Sequence, residues 1–203
     1  MLIKVCGITD IPTAQLLCDL GIDMLGFVFV KTSPRLISLN QALRIRKIVL
    51  GRIEIVAVFQ NQPLLEVQEI VNALQPKYIQ LHGQENPAYC SSLLRPVIKA
   101  FSLGETAEET ALELEQYKDV CKYFLVDRKK QGQGPLVESE QVHELSKRFS
   151  ILLSGGLTPE NISAVLKSTR NSIVGIDVSG GVEDAPGKKS SKEIKEFVLD
   201  ARR

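Results

Sequence analysis

Eight short, almost wholly apolar runs alternate with eight amphipathic stretches along the 203 residues of the chain. That alternation predicts an α/β fold, a single-domain (β/α)8 TIM barrel spanning residues 1–203. Two further observations support it. The runs carry few polar residues, as strands buried on both faces do. The connections between runs and helical stretches are short, which implies parallel strands joined by right-handed crossovers. Each unit takes about 25 residues, enough for a compact barrel near the lower length limit. An open doubly wound sheet is the structural alternative, but no Gly-x-Gly-x-x-Gly follows the first run to favour it.

The elements follow in order. The first strand is read at 2–6, with a helix at 11–20 that stops at Gly21. The second strand is 24–29, with a helix at 39–50. The third is 53–59, with a helix at 63–74 whose Pro63 suits a first turn, where a missing N–H costs nothing. The fourth is 78–81, with a helix at 87–94. The fifth is 97–101, with a helix at 107–117 in which Ala107, Ala111, Leu114 and Tyr117 recur at helical spacing. The sixth is 123–126, with a helix at 139–148. The seventh is 151–153, with a helix at 159–167 announced by Thr158 as N-cap and Pro159 at the first helical position. The eighth is 173–178, and the last helix is read at 191–201, capped by Ser190 or Ser191.

Composition narrows the function classes. Lys and Arg number 25 against 24 Asp and Glu, so the basic stripe expected of a nucleic-acid binder is missing. The longest apolar stretch, 24–30, falls far short of the ~20 residues of a membrane helix, and no secretory signal opens the chain. These features predict a cytoplasmic protein with neither nucleic-acid nor membrane partners. The four cysteines, Cys6, Cys18, Cys90 and Cys121, are separated by 12, 72 and 31 residues. With only His82 and His143 beside them, no metal-site spacing exists. Cys18 and Cys90 fall in helical stretches and read as small packing residues.

In a barrel of this kind chemistry gathers at the C-terminal strand ends, and phosphate often binds after strands seven and eight. Strand seven ends Ser154-Gly155-Gly156 and strand eight Asp177-Val178-Ser179-Gly180-Gly181. Glycine lets backbone N–H groups come close to a phosphate, so the two pairs together mark a phosphate site. Cys6 ends strand one, where a thiol of lowered pKa would serve as base or nucleophile and a buried thiol would serve packing alone. Asp127 ends strand six after an apolar run, and desolvation there would raise its pKa and suit a general acid. Asp177 interrupts an apolar strand and requires a partner. Arg35, in Ser33-Pro34-Arg35, has the fork that grips a carboxylate. Gln80 and His82 close strand four, with His82 a base or a polar wall. His143 lies mid-helix, away from the strand ends.

The motifs form a recognisable series: Lys4-Val5-Cys6-Gly7-Ile8-Thr9, Gly26-Phe27-Val28-Phe29, Ser33-Pro34-Arg35, Gln80-Leu81-His82-Gly83, Leu153-Ser154-Gly155-Gly156-Leu157, and Asp177-Val178-Ser179-Gly180-Gly181-Val182-Glu183. Over nearly its whole length the chain resembles the phosphoribosylanthranilate isomerases of tryptophan biosynthesis. The resemblance implies an Amadori rearrangement of a phosphorylated small molecule without metal or organic cofactor, in a monomer or homodimer. It implies Cys6 as general base and Asp127 as general acid. It places Arg35 on the anthranilate carboxylate, Asp177 on the anthranilate amine, Gln80 and His82 at the substrate, and Gly155, Gly156, Ser179 and Gly180 on the phosphate. The related isomerase of histidine biosynthesis runs the same chemistry, but it carries carboxylates at both catalytic positions and a half-repeat that this chain lacks. One departure stands out: after Asp127 the family's longer glycine flap is replaced by the short basic segment 128–135, opening Arg128-Lys129-Lys130, and this is the sole support for a barrel that binds sugar phosphate without turnover, a reading that Cys6 and Asp127 together argue against.

Overall fold

A computed structural model describes residues 1–127 and 135–203, with the side chains of all of these except 135–138. The predicted fold class is the one observed. Eight parallel strands pair in chain order and the eighth returns to the first, closing a barrel. They are β1 (Leu2–Cys6), β2 (Met24–Val28), β3 (Glu54–Phe59), β4 (Tyr78–Leu81), β5 (Val97–Ser102), β6 (Tyr123–Asp127), β7 (Ile151–Ser154) and β8 (Gly175–Val178). The helices between and after them are α1 (Ile11–Asp19), α2 (Leu39–Val49), α3 (Leu64–Leu74), α4 (Pro87–Ser91), α5 (Ala107–Glu115), α6 (Pro135–Ser146), α7 (Pro159–Thr169) and α8 (Ser191–Arg202).

Strand alternation sorts the core into two compartments. Outward residues such as Val5, Phe27, Phe59 and Leu153 pack beneath the helices with Leu17, Ile45, Leu166 and Phe197. Inward residues, among them Cys6, Val28, Val58, Ile98, Leu125 and Leu152, fill the barrel itself. The inner set is small and apolar, with Val28, Val56, Val58 and Ile98 β-branched, so the barrel is a packed core with its opening at the strand ends.

Most boundaries fall within two residues of the expected ones, and the exceptions have local causes. Helix α6 begins at Pro135, four residues before the expected Ser139, because a proline at the first helical position starts the helix where periodicity alone gives no sign. Pro63 is the N-cap of α3, with ψ at 140°, and lies outside the first turn in which it was expected. Helix α4 stops at Ser91, short of the expected Leu94; the Ser91 and Ser92 hydroxyls bond back to the Ala88 and Tyr89 carbonyls there. Strand β8 starts at Gly175, two residues later than expected.

One feature has no counterpart in the expected elements. Between β8 and α8 the chain makes a short 3-10 turn (Gly180–Val182) and a small antiparallel hairpin of β9 (Glu183–Ala185) and β10 (Lys188–Lys189). Strands this short and this charged leave no apolar periodicity. Among the described residues, no helix is long and apolar enough to cross a membrane. Segment 128–130, singled out for its basic charge, lies outside the described residues.

Helix α8 packs against α7 and completes the outer ring. Ser190 is its cap, accepting a hydrogen bond from the Glu193 amide. Phe197 is fully buried on its inner face. Phe197→Ala should therefore destabilise the fold by about 3–5 kcal/mol, read as a lower urea midpoint at unchanged slope; a loss below about 1 kcal/mol would show that α8 contributes little to the core.

Candidate active site

The C-terminal mouth of the barrel holds a cavity of about 680 Å³. All ten residues singled out above line it: Cys6, Arg35, Gln80, His82, Asp127, Gly155, Gly156, Asp177, Ser179 and Gly180. They come from the ends of β1, β4, β6, β7 and β8 and from the loop after β2, and only barrel closure brings them together.

Cys6 is the last residue of β1 and points inward, paired in register with Gly26 of β2. A Cβ on Gly26 would lie 2.6 Å from the Cys6 Sγ, so glycine makes the room the thiol occupies. Two residues earlier on the same inward face, Lys4 is wholly buried. Its Nζ donates to Asp177 Oδ1 at 2.8 Å, across the β1–β8 seam where the two residues are in register. The Lys4 ammonium also acts on the thiol of Cys6, favouring its ionised form. Burial lowers the affinity of Lys4 for its proton, but Asp177 and Cys6 outweigh that and hold it charged.

The thiol itself departs from expectation. Burial pushes Cys6 up, Lys4 pulls it down, Asp177 pushes it up again, and the balance lies above the ordinary thiol range. A lowered pKa was the requirement inferred for a base; in the free pocket the proton is held more firmly than usual, because stripping water from the thiolate costs more than one shared ammonium returns.

Asp127 ends β6 and stands on the opposite wall, half-buried, in register with Ser102 of β5 and Ser154 of β7. Gln80 is buried, and its Nε2 lies 3.3 Å from His82 Nδ1. Burial lowers the His82 pKa, so the ring is neutral near pH 7. A bond donated by Gln80 then puts the ring proton on Nε2.

Arg35 immediately precedes Leu36, which forms an isolated parallel bridge with Val28 at the end of β2. Its stem passes over Gly7, where a Cβ would come within 2.5 Å of Arg35 Cδ. Its Nε and Nη2 each donate at 2.7 Å to the two carboxylate oxygens of Glu183. Glu183 in turn accepts from Lys189 Nζ at 2.6 Å.

The far rim is backbone. Gly155 and Gly156 both have positive φ, +89° and +62°, which turns the chain sharply after β7. The Ser179 hydroxyl donates to the Cys6 carbonyl at 3.0 Å and ties the β8 end to the β1 end. Beside it, any side chain on Gly181 would run into the Leu157 carbonyl, so the two glycine turns sit backbone against backbone.

Three residues at this site carry no role in the sequence reading: Lys4, Glu183 and Lys189. Lys4 did leave a signal, a lone charge inside an apolar strand at the i−2 position from Cys6. Glu183 and Lys189 left none, because only the β9–β10 hairpin brings them to Arg35. His143 is exposed and pairs with Ser172 Oγ at 2.9 Å, outside the cavity. Cys18 and Cys90 are buried packing residues. Among the described residues, no group of three or more His, Cys, Asp or Glu side chains is placed to hold a metal ion.

Comparison with known proteins agrees on one family. The model of the N-(5′-phosphoribosyl)anthranilate (PRA) isomerases matches residues 3–200. An N-(5′-phosphoribosyl)anthranilate isomerase of Pelobacter propionicus is 36% identical, over 98% of this chain and 95% of its own. A crystal structure of phosphoribosyl anthranilate isomerase in complex with reduced 1-(o-carboxyphenylamino)-1-deoxyribulose 5-phosphate superposes with a TM-score of 0.87 at 31% identity, covering 100% of this chain and 98% of the other. Monomers generated from the dimeric enzyme of Thermotoga maritima give 0.86 at 32% identity, with 100% and 98% covered.

The packing of Gly26 against the thiol yields a direct expectation. Gly26→Ala should lower stability by about 1–3 kcal/mol through overpacking while still folding, and should lose about 100-fold in turnover, since an ångström-scale shift of a reacting group costs that much. Intact turnover would mean that the thiol position is not critical.

Proposed function

The chain belongs to the N-(5′-phosphoribosyl)anthranilate isomerase family, and on that premise we propose a division of labour within its pocket. The reaction is the isomerisation of N-(5′-phosphoribosyl)anthranilate to 1-(o-carboxyphenylamino)-1-deoxyribulose 5-phosphate, an aldose–ketose interconversion in tryptophan biosynthesis. The assignment rests on one observation above the others: Cys6 and Asp127 face one cavity from different walls, and two glycine turns form its rim.

The phosphate lies against the backbone of Gly155, Gly156, Ser179 and Gly180. Positively polarised N–H groups held by rigid turns suit a dianion and fix the sugar between acid and base. Arg35 takes the aryl carboxylate. Asp177 receives the amine on Oδ2, its Oδ1 being engaged by Lys4. His82 donates from Nε2 to a substrate oxygen, with its ring set by Gln80.

Asp127 protonates the furanose ring oxygen. The C1′–O bond breaks, and the anthranilate nitrogen supplies the electron pair, leaving a positively charged Schiff base. That cation next to a buried thiol lowers the cost of the thiolate, so the proton that Cys6 holds firmly in the free pocket passes to solvent water when the base is needed. The thiolate then removes the C2′ proton. The electrons neutralise the nitrogen and give an enolamine, which becomes the ketone by protonation at C1′ and loss of the O2′ proton.

Cys6→Ala and Asp127→Asn should each lower kcat by at least ~100-fold in an assay that follows loss of substrate fluorescence. Near-normal turnover in either variant would remove that assignment. Arg35→Ala should raise KM more than it lowers kcat.

The raised thiol pKa has its own signature. Below its pKa a thiol gains thiolate about tenfold per pH unit. Alkylation of Cys6 by iodoacetamide in the ligand-free protein, followed by peptide mass spectrometry, should climb from pH 7 to pH 9 without levelling off. A plateau at or below pH 8 would mean that burial does not dominate.

A further inference from the structure

The guanidinium of Arg35 is anchored by a carboxylate of the protein itself. Glu183 grips it side-on through Nε and Nη2, at 2.7 Å each. Glu183 is nearly enclosed, and its Oε1 also accepts from Lys189 Nζ, which is itself buried and donates to the Ser179 carbonyl at 3.0 Å. The hairpin between β8 and α8 thus presents a carboxylate clamped by two cations. Burial pushes Glu183 toward its neutral form, but the bonds from Arg35 and Lys189 outweigh it and keep the carboxylate ionised.

A guanidinium has two edges that match a carboxylate. The side edge is spent on Glu183. The end edge, Nη1 with the second hydrogen of Nη2, remains, and Arg35 lines the cavity next to Gly180, where a Cβ would come within 3.2 Å of Nη2. A substrate carboxylate could reach the side edge only by expelling Glu183, which would strand a buried anion beside Lys189. The open edge carries no such penalty. Charge also agrees: Arg35, Glu183 and Lys189 sum to one positive charge, so the cluster attracts an anion even with the clamp in place.

We propose that Glu183 is the positioning residue of the aryl-carboxylate site: it holds Arg35 side-on so that the end edge of the guanidinium faces the pocket, with Lys189 keeping the cluster cationic. The inference rests on the assignment of Arg35 to the substrate carboxylate. Clamping removes rotamer freedom that a long side chain would otherwise lose on binding, so the gain falls on ligands that carry the carboxylate.

The test uses two competitive ligands, reduced 1-(o-carboxyphenylamino)-1-deoxyribulose 5-phosphate and ribulose 5-phosphate, which lacks the aryl carboxylate. Glu183→Gln should weaken the first by about tenfold or more, the range expected for charge-assisted hydrogen bonds, and leave the second unchanged; KM should rise more than kcat falls. Equal weakening of both ligands, or of neither, would overturn the proposal. Arg35→Ala separates the two readings. If it leaves the carboxylated ligand's affinity intact, the Arg35 assignment itself fails; if it weakens that ligand while Glu183→Gln does not, only the role of Glu183 fails. Should Glu183→Gln not fold, Glu183→Asp keeps the buried charge but shortens its reach to Arg35, and the same selective loss is expected.

Discussion

The ion pair between Lys4 and Asp177 is the constraint on which the site depends. It spans the seam where β8 meets β1, so it forms only when the barrel closes. Neither partner can be left alone: Lys4 is fully buried and Asp177 nearly so, and an uncompensated charge in that position costs about 3–5 kcal/mol. Closure by hydrophobic packing alone would tolerate slippage. Closure around a salt bridge fixes the register, because a one-residue shift would turn one of the two side chains toward the helices. That register brings the Ser179 hydroxyl to the Cys6 carbonyl, while the β1–β2 pairing on the other edge of the same strand sets Cys6 beside Gly26. The Cys6 end of β1, the Ser179 turn and Asp177 are thus referenced to one seam.

A second fixed point lies on the side of β4. Lys99 is buried, 3.5 Å from Glu85, and donates to the Gly83 carbonyl at 2.8 Å. Glu85 accepts from the amides of Asn61 and Gly83. The loop that follows His82 is therefore held by a buried charge pair, and the imidazole is carried on a rigid turn. The pocket wall is ordered on both flanks by paired charges whose hydrogen bonds run to backbone, and the strands between are left to apolar packing.

How much of this the sequence disclosed follows from the range of the interactions concerned. Strand and helix positions depend on local apolar periodicity and on caps, so β1 and β4 were placed residue for residue and the Thr158-Pro159 start of α7 was evident. The catalytic-end residues were legible because a barrel confines them to strand ends. The N-terminus of α6 was missed because it depends on one proline ahead of any periodic signal. The β9–β10 hairpin was missed because its strands of three and two residues are held by side chains, not by a hydrophobic face. The pairings of Arg35 with Glu183 and of Lys4 with Asp177 join residues 148 and 173 positions apart, and nothing in either neighbourhood announces the partner. Lys4 could have been suspected, since an ammonium in an apolar strand must be neutralised by something across the barrel.

These pairings also explain how a firmly protonated thiol fits the chemistry. Three cations, Lys4, Arg35 and Lys189, and two carboxylates, Asp177 and Glu183, stand around Cys6, and Lys4 and Lys189 act directly on it. The set carries one surplus positive charge while the thiol is neutral and none once it ionises. Burial supplies the opposing term, so in the empty pocket the thiol keeps its proton and is protected from oxidation and alkylation, which act on the thiolate. The surplus charge does not make the thiolate abundant; it makes the thiolate reachable. In the proposed mechanism what remains of the cost is met by the cationic Schiff base, which exists only after Asp127 has given up its proton. On that proposal acid and base act in a fixed order, because the product of the first transfer is the charge that enables the second.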